Sequence, residues 1–113
     1  METAELRRRF ASSPVARLST VRPDGVPHVV PIVFALVDDT VFSAVDAKPK
    51  RSTALQRLAN VRADGVGEVV DAPPEHPGIQ ALVQRFPQYR DQPPSGPLLV
   101  ITVHRWTGWA STS

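Results

Sequence analysis

Eleven consecutive residues, Val26–Leu36, pass with scarcely a polar side chain, and a turn stands at either end. Ahead of the run lies Arg22-Pro23-Asp24-Gly25, in which Pro presets φ, Asp bonds locally and Gly accepts a positive φ. Behind it lies Asp38-Asp39. A stretch so uniformly apolar predicts a strand covered on both faces, once by a barrel interior and once by a helix or a second subunit. Pro27 and Pro31 place part of it at an edge or a bulge. With strands over Val15–Val21 and Thr40–Val45 on either side, the first part of the chain reads as an apolar meander.

Helices punctuate this pattern. Thr3 is suited to cap a first helix with Leu6 and Phe10 turned inward and Arg7, Arg8 and Arg9 on its solvated face, ended by Ser12-Ser13-Pro14. Ser52–Ala59 reads as a short helix burying Leu55 and Leu58, with Asn60 as a left-handed C-cap. Val61-Arg62-Ala63-Asp64-Gly65-Val66 then echoes Val21-Arg22-Pro23-Asp24-Gly25-Val26, and the shared turn chemistry marks a second hairpin. After a proline-rich connection, Asp71–His76, Pro77 at N1 opens a helix with Ile79, Leu82, Val83 and Phe86 on one face, which Pro87 closes. Gln92–Pro97 is a stiff loop, and Leu98–His104 is a last strand before Arg105-Trp106-Thr107-Gly108-Trp109. No linker separates two compositions, so residues 1–113 read as one domain, mainly β with short helices, built as a small barrel.

Composition excludes several chemistries. With 42% apolar and 21% charged residues the chain is of the folding kind. It has no cysteine, so disulfides, thiolate catalysis and cysteine-ligated zinc are ruled out. His28, His76 and His104 lack metal-ligand spacing, and no nucleophile elbow, P-loop or dinucleotide fingerprint occurs. The net charge of +2, from arginines far more than lysines, comes without a basic stripe interleaved with aromatics, so no nucleic-acid partner is expected. The N-terminus carries Arg7-Arg8-Arg9 with no following hydrophobic run, and the expectation is a cytoplasmic chain with no membrane partner. No catalytic acid or base stands out, so any chemistry falls to an organic cofactor that the protein positions.

One cluster suggests how such a cofactor is held. Lys48-Pro49-Lys50-Arg51 closes a buried strand and opens a helix, where unsatisfied N–H groups also favour an anion, and Ser43, Ser52 and Thr53 flank it with hydroxyls. Two readings stay open at this level: a phosphate grip and a solvated loop.

The order Ala16-Arg17-Leu18-Ser19-Thr20-Val21, Pro23-Asp24-Gly25, Pro27-His28-Val29-Val30-Pro31-Ile32-Val33-Phe34, Phe42-Ser43-Ala44-Val45-Asp46 and Lys50-Arg51 resembles the pyridoxamine 5′-phosphate oxidase-like split β-barrel superfamily. Within it, the tail Arg105–Trp109 is similar to that of the actinobacterial probable F420-dependent group. The resemblance implies an FMN-binding type of split β-barrel, a homodimer, and F420 as cofactor with FMN as the alternative. It implies that Lys50 and Arg51, with Lys48 beside them, grip the phosphate, that Pro31, Ile32 and Val33 flank the ring, and that Ala44 and Val45 lie near the ribityl chain. Trp109 is the expected aromatic border of the ring, and Val30, Ile32 and the aromatic tail are the expected walls of a pocket for a small unsaturated substrate. The alternatives are a flavin-binding or vestigial module without turnover, and a small basic β-domain that binds acidic partners. Where the resemblance implies a further strand and most of another, this sequence passes straight from Asn60 to Val61, so a shortened, incomplete barrel is expected.

Overall fold

In the computed structural model, which describes residues 2–45 and 61–108, the turn at Arg22–Gly25 closes as its chemistry requires. The Gly25 N–H donates to the Arg22 carbonyl at 2.8 Å and the Val26 N–H to Asp24 Oδ1 at 3.1 Å, with Gly25 at φ +84°. The turn joins β1 (Ala16–Val21) to β2 (Pro27–Ile32) as an antiparallel pair. A bond from the Arg22 N–H to the Val26 carbonyl, 3.0 Å, fixes the alternation of this ladder. Thr20/His28, Leu18/Val30 and Ala16/Ile32 exchange hydrogen bonds, and the pairs between them do not. Pro27 and Pro31 both fall on non-bonded pairs, opposite Val21 and Arg17. Their missing N–H groups therefore lie on the outer edge of β2, where no ladder bond is lost.

The apolar run is not one strand. It breaks at Val33–Phe34 and resumes as β3 (Ala35–Val37), which pairs with β4 (Thr40–Ala44) across a turn where Asp38 takes φ 53°. The break has two causes. Phe34 is wholly buried, and the backbone on either side of it is claimed by side chains: Ser43 Oγ donates to the Val33 carbonyl at 2.8 Å and Arg85 Nη1 to the Phe34 carbonyl at 2.9 Å. Nor does this chain cover both faces of the run, since Val29 in β2 is 57% exposed.

β4 continues through β6 (Leu98–Gly108) to β5 (Val61–Val70), giving a four-stranded antiparallel sheet in the order β3-β4-β6-β5 beside the two-stranded β1-β2 sheet. Among the described residues the two sheets do not close into a barrel. The expected second hairpin at Asp64-Gly65 is instead the interior of one continuous strand, β5, opposite a bulge in β6 where His104 has no partner. Gly65 is required there, because a Cβ would collide with the Thr102 carbonyl oxygen of β6. The final strand runs on to Gly108, past His104, because Val61 pairs all the way out to that residue.

Successive residues of β4 serve opposite faces of this sheet. Phe42 and Ala44, with Leu98, pack on Ile79 and Leu82 of α2 (Pro77–Arg85) and on Tyr89 of α3 (Pro87–Asp91). Pro77 opens α2 as expected, with His76 as its cap, Nδ1 accepting from the Gly78 N–H at 3.0 Å. Gly78 admits the contact, since a Cβ would press on the Phe42 ring and on Leu98 Cδ2. Pro87 closes α2 by starting α3 at once. On the other face Val41 and Val103 meet Phe34, with Phe10 and Trp106 packed against them.

Phe10 is delivered by α1 (Thr3–Ser12), whose N-cap is Glu2 without a side-chain bond, so Thr3 is its first residue and not its cap. Ser12 and Ser13 hydroxyls both donate to the Arg9 carbonyl and end the helix. Arg8 and Arg9 pair with Glu5 on the solvated face. Arg7 departs from that expectation and docks α1, its Nε donating to Asp39 Oδ1 at 2.6 Å, while Trp106 Nε1 donates to the same oxygen at 2.9 Å. The Arg7 guanidinium first, and the indole N–H second, hold the Asp39 carboxyl below its ordinary value of 3.8. A depressed carboxyl stabilises the fold above its unfolded pKa and loses that contribution as pH falls through the folded one. Asp39→Asn is therefore expected to lower the urea midpoint at neutral pH, modestly because the pair is exposed, and the gap from the native chain should shrink below about pH 4. An equal gap at both pH values would contradict the assignment.

Candidate functional site

The Val33–Phe34 break brings together two stretches that the sequence had singled out. The register of β3 on β4 sets Ala35 opposite Phe42, and the Ser43 hydroxyl reaches the Val33 carbonyl just beyond. Val33 thus lies alongside the end of β4, where Ala44 is buried and Val45 is exposed, with the Val45 N–H donated to the Pro97 carbonyl at 3.1 Å. Pro31 is exposed and Ile32 half-buried on the approach. Ile32 packs against the Phe34 and Val41 cluster, Val33 and Ala44 belong to the cluster under α2, and the chain leaves the seam at the exposed Val45, three residues before Lys48. Ser43 is not a free hydroxyl for a ligand, because it is 3% exposed and holds the seam. Lys48, Lys50, Arg51 and Trp109 lie outside the described residues, as do Ser52, Thr53, the helix expected over Ser52–Ala59 and the Asn60 side of the expected shortening.

The expected substrate walls are only partly brought together. An open cleft of about 1070 Å³ separates β1 from β5 and β6, floored by Ile32, Val41, Leu99 and Ile101, with Phe10 at one end. Ile32 faces it; Val30 is not among its walls. Trp106 is committed elsewhere, packed edge-on to Phe10 at 5.3 Å with its N–H on Asp39.

Arg85 had no sequence signal. Half-buried at the end of α2, it donates to the carbonyls of Phe34 (2.9 Å) and Ser13 (2.6 Å), and its guanidinium stacks on the rings of Phe34 and Phe86. Burial pushes it down from its ordinary value, though a guanidinium stays charged. It clamps the end of α1 to the seam, so it serves the site by holding it. Each shifted group among the described residues is explained by burial or by such a structural partner. No three His, Cys, Asp or Glu side chains among them converge on a metal-sized site. No described helix is long and apolar enough to cross a membrane.

The family model for pyridoxamine 5′-phosphate oxidase matches residues 2–110. The chain belongs to the pyridoxamine 5′-phosphate oxidase family. Its fold is similar to the crystal structure of the conserved hypothetical protein Rv2991 from Mycobacterium tuberculosis, with a TM-score of 0.69 over 96% of this chain and 84% of that one, at 20% identity. No curated protein matches it in sequence. As a member of the pyridoxamine 5′-phosphate oxidase family the chain is homologous to flavin- and deazaflavin-binding oxidoreductases, mostly β with short helices.

Proposed function

We propose that this chain is an F420-dependent oxidoreductase, with FMN as the alternative cofactor, acting as a single split-barrel domain in a cytoplasmic homodimer and shortened at Asn60–Val61. What supports the reading is a family chain in which the seam of Val33 and the end of β4, pinned by Ser43, continues directly into Lys48-Pro49-Lys50-Arg51. The residue types suit the group: three cations for a phosphate, and apolar side chains for a planar ring. The bound ring supplies hydride transfer to or from a small unsaturated molecule. In this reading Lys48, Lys50 and Arg51 bind the phosphate, Pro31, Ile32 and Val33 lie against the ring and keep water from it, Ala44 and Val45 border the ribityl chain, and Trp109 borders the ring. No residue is assigned as acid or base.

Titration of the purified protein with F420 and with FMN, followed by tryptophan fluorescence, tests this. A saturable quench that Trp109→Ala reduces, together with turnover on a panel of enones and quinones, is the expected result. Neither quench nor turnover would sink the proposal. A quench without turnover would favour the second reading, a binding module, for which the open cleft in the fold speaks.

The homodimer rests on exposed apolar surface. Val21 (73%) and Val29 (57%) share the outer face of the hairpin with Pro27 and Pro31, a face that this chain leaves to solvent. Light scattering at micromolar concentration is expected to give twice the chain mass, and a folded monomer would count against it.

A further inference from the structure

The cleft between β1 and β5 is walled by two strand edges, and the backbone groups on them that find no partner among the described residues can be named. In β1 the bonded pairs with β2 are those of Ala16, Leu18 and Thr20, so the N–H and C=O groups of Arg17, Ser19 and Val21 point away from the hairpin. In β5 the outward groups are fixed by the pairing of β6. The Val103 N–H donates to the Asp39 carbonyl and the Val45 N–H to that of Pro97, which commits residues 97, 99, 101 and 103 to the β4 side. Leu98, Val100 and Thr102 therefore bond to Val70, Glu68 and Val66 on the β5 side, and Gly67 and Val69 turn their backbone groups outward.

Arg17, Ser19, Gly67 and Val69 all line the same cleft and all are exposed. The strand directions also agree. β1 is antiparallel to β2, β2 continues into β3, and three further antiparallel steps lead through β4 and β6 to β5. β1 and β5 thus run in the same sense, and one strand of opposite sense is antiparallel to both.

Side chains specify that strand further. The inner wall is apolar, with Leu99 and Ile101 on the floor and Val69 61% exposed above them. Toward the outside stand Arg17 on one edge and Glu68 on the other, neither in an ion pair among the described residues. We propose that the β1–β5 cleft is a docking site for an extended segment of another polypeptide, apolar at alternate positions toward the interior, with an acidic residue beside Arg17 and a basic one beside Glu68. Rows of backbone donors and acceptors on both walls call for a ligand that offers such rows on both of its edges, and an extended polypeptide does so.

The probe is a synthetic peptide of about nine residues, roughly a strand length, alternating valine with threonine, glutamate and lysine. Amide hydrogen exchange of the intact protein is followed as the peptide is added. Saturable slowing of exchange, about tenfold or more, is expected at Arg17, Ser19, Gly67 and Val69 together. The same peptide N-methylated at alternate positions should give none, and Val69→Lys should weaken binding with the melting transition retained. Three results would overturn the proposal: no saturable protection, equal protection by the N-methylated peptide, or protection of these amides before any peptide is present.

Discussion

Phe34→Ala is expected to cost about 3–5 kcal/mol of folding stability. Phe34 has no exposed surface, so truncation removes its full transfer term and leaves a cavity between parts that are tied by other bonds and collapse poorly. Its ring lies 4.7 Å from that of Phe10 and 4.9 Å from the Arg85 guanidinium carbon. The loss therefore reaches α1 and the clamp as well as the sheet. Arg85 would keep its bonds to the carbonyls of Phe34 and Ser13 but lose one of its two aromatic covers. Against a total of about 5–15 kcal/mol for a domain, a loss of this size leaves the variant marginal. Urea unfolding read by far-ultraviolet circular dichroism measures it, and a loss below about 1 kcal/mol would contradict the placement of Phe34 at the seam.

Replacing Lys50 and Arg51 together by alanine is expected to weaken cofactor binding by two orders of magnitude or more. Each charge-assisted hydrogen bond to a phosphate contributes about 1.5–3 kcal/mol, and about 1.4 kcal/mol is a factor of ten in affinity. The melting temperature without cofactor should hardly move, because long charged side chains that grip a phosphate are not part of an apolar core. Raising salt should weaken the native complex more than that of the variant, since screening acts on the charges removed. Unaltered affinity for both F420 and FMN would sink the phosphate assignment.

Part of the fold around the candidate site was legible in the sequence because it depends on neighbours along the chain. The turn at Arg22–Gly25, the Pro77 helix start and the apolar stretches of Pro31–Val33 and Ala44–Val45 follow from residue chemistry at short range. The same local reasoning misjudged Asp64-Gly65, whose dipeptide resembles a turn but whose glycine serves a close approach to Thr102 of another strand. It also extended one strand through Phe34, because an apolar run carries no mark of where the chain passes from one sheet to the next.

The roles of Ser43, Arg85 and Asp39 belong to a different scale. Arg85 reaches a carbonyl 72 residues away and Asp39 accepts from an indole 67 residues away. Nothing in the residues beside them announces these bonds. Composition and periodicity settle which segments are apolar, where turns close and which chemistries the chain lacks, since those properties reside in single residues and their nearest neighbours. Which strands share an edge, where the seam falls and which polar groups are consumed in holding it were decided by tertiary packing, because a buried donor or acceptor takes whatever partner the fold brings within reach.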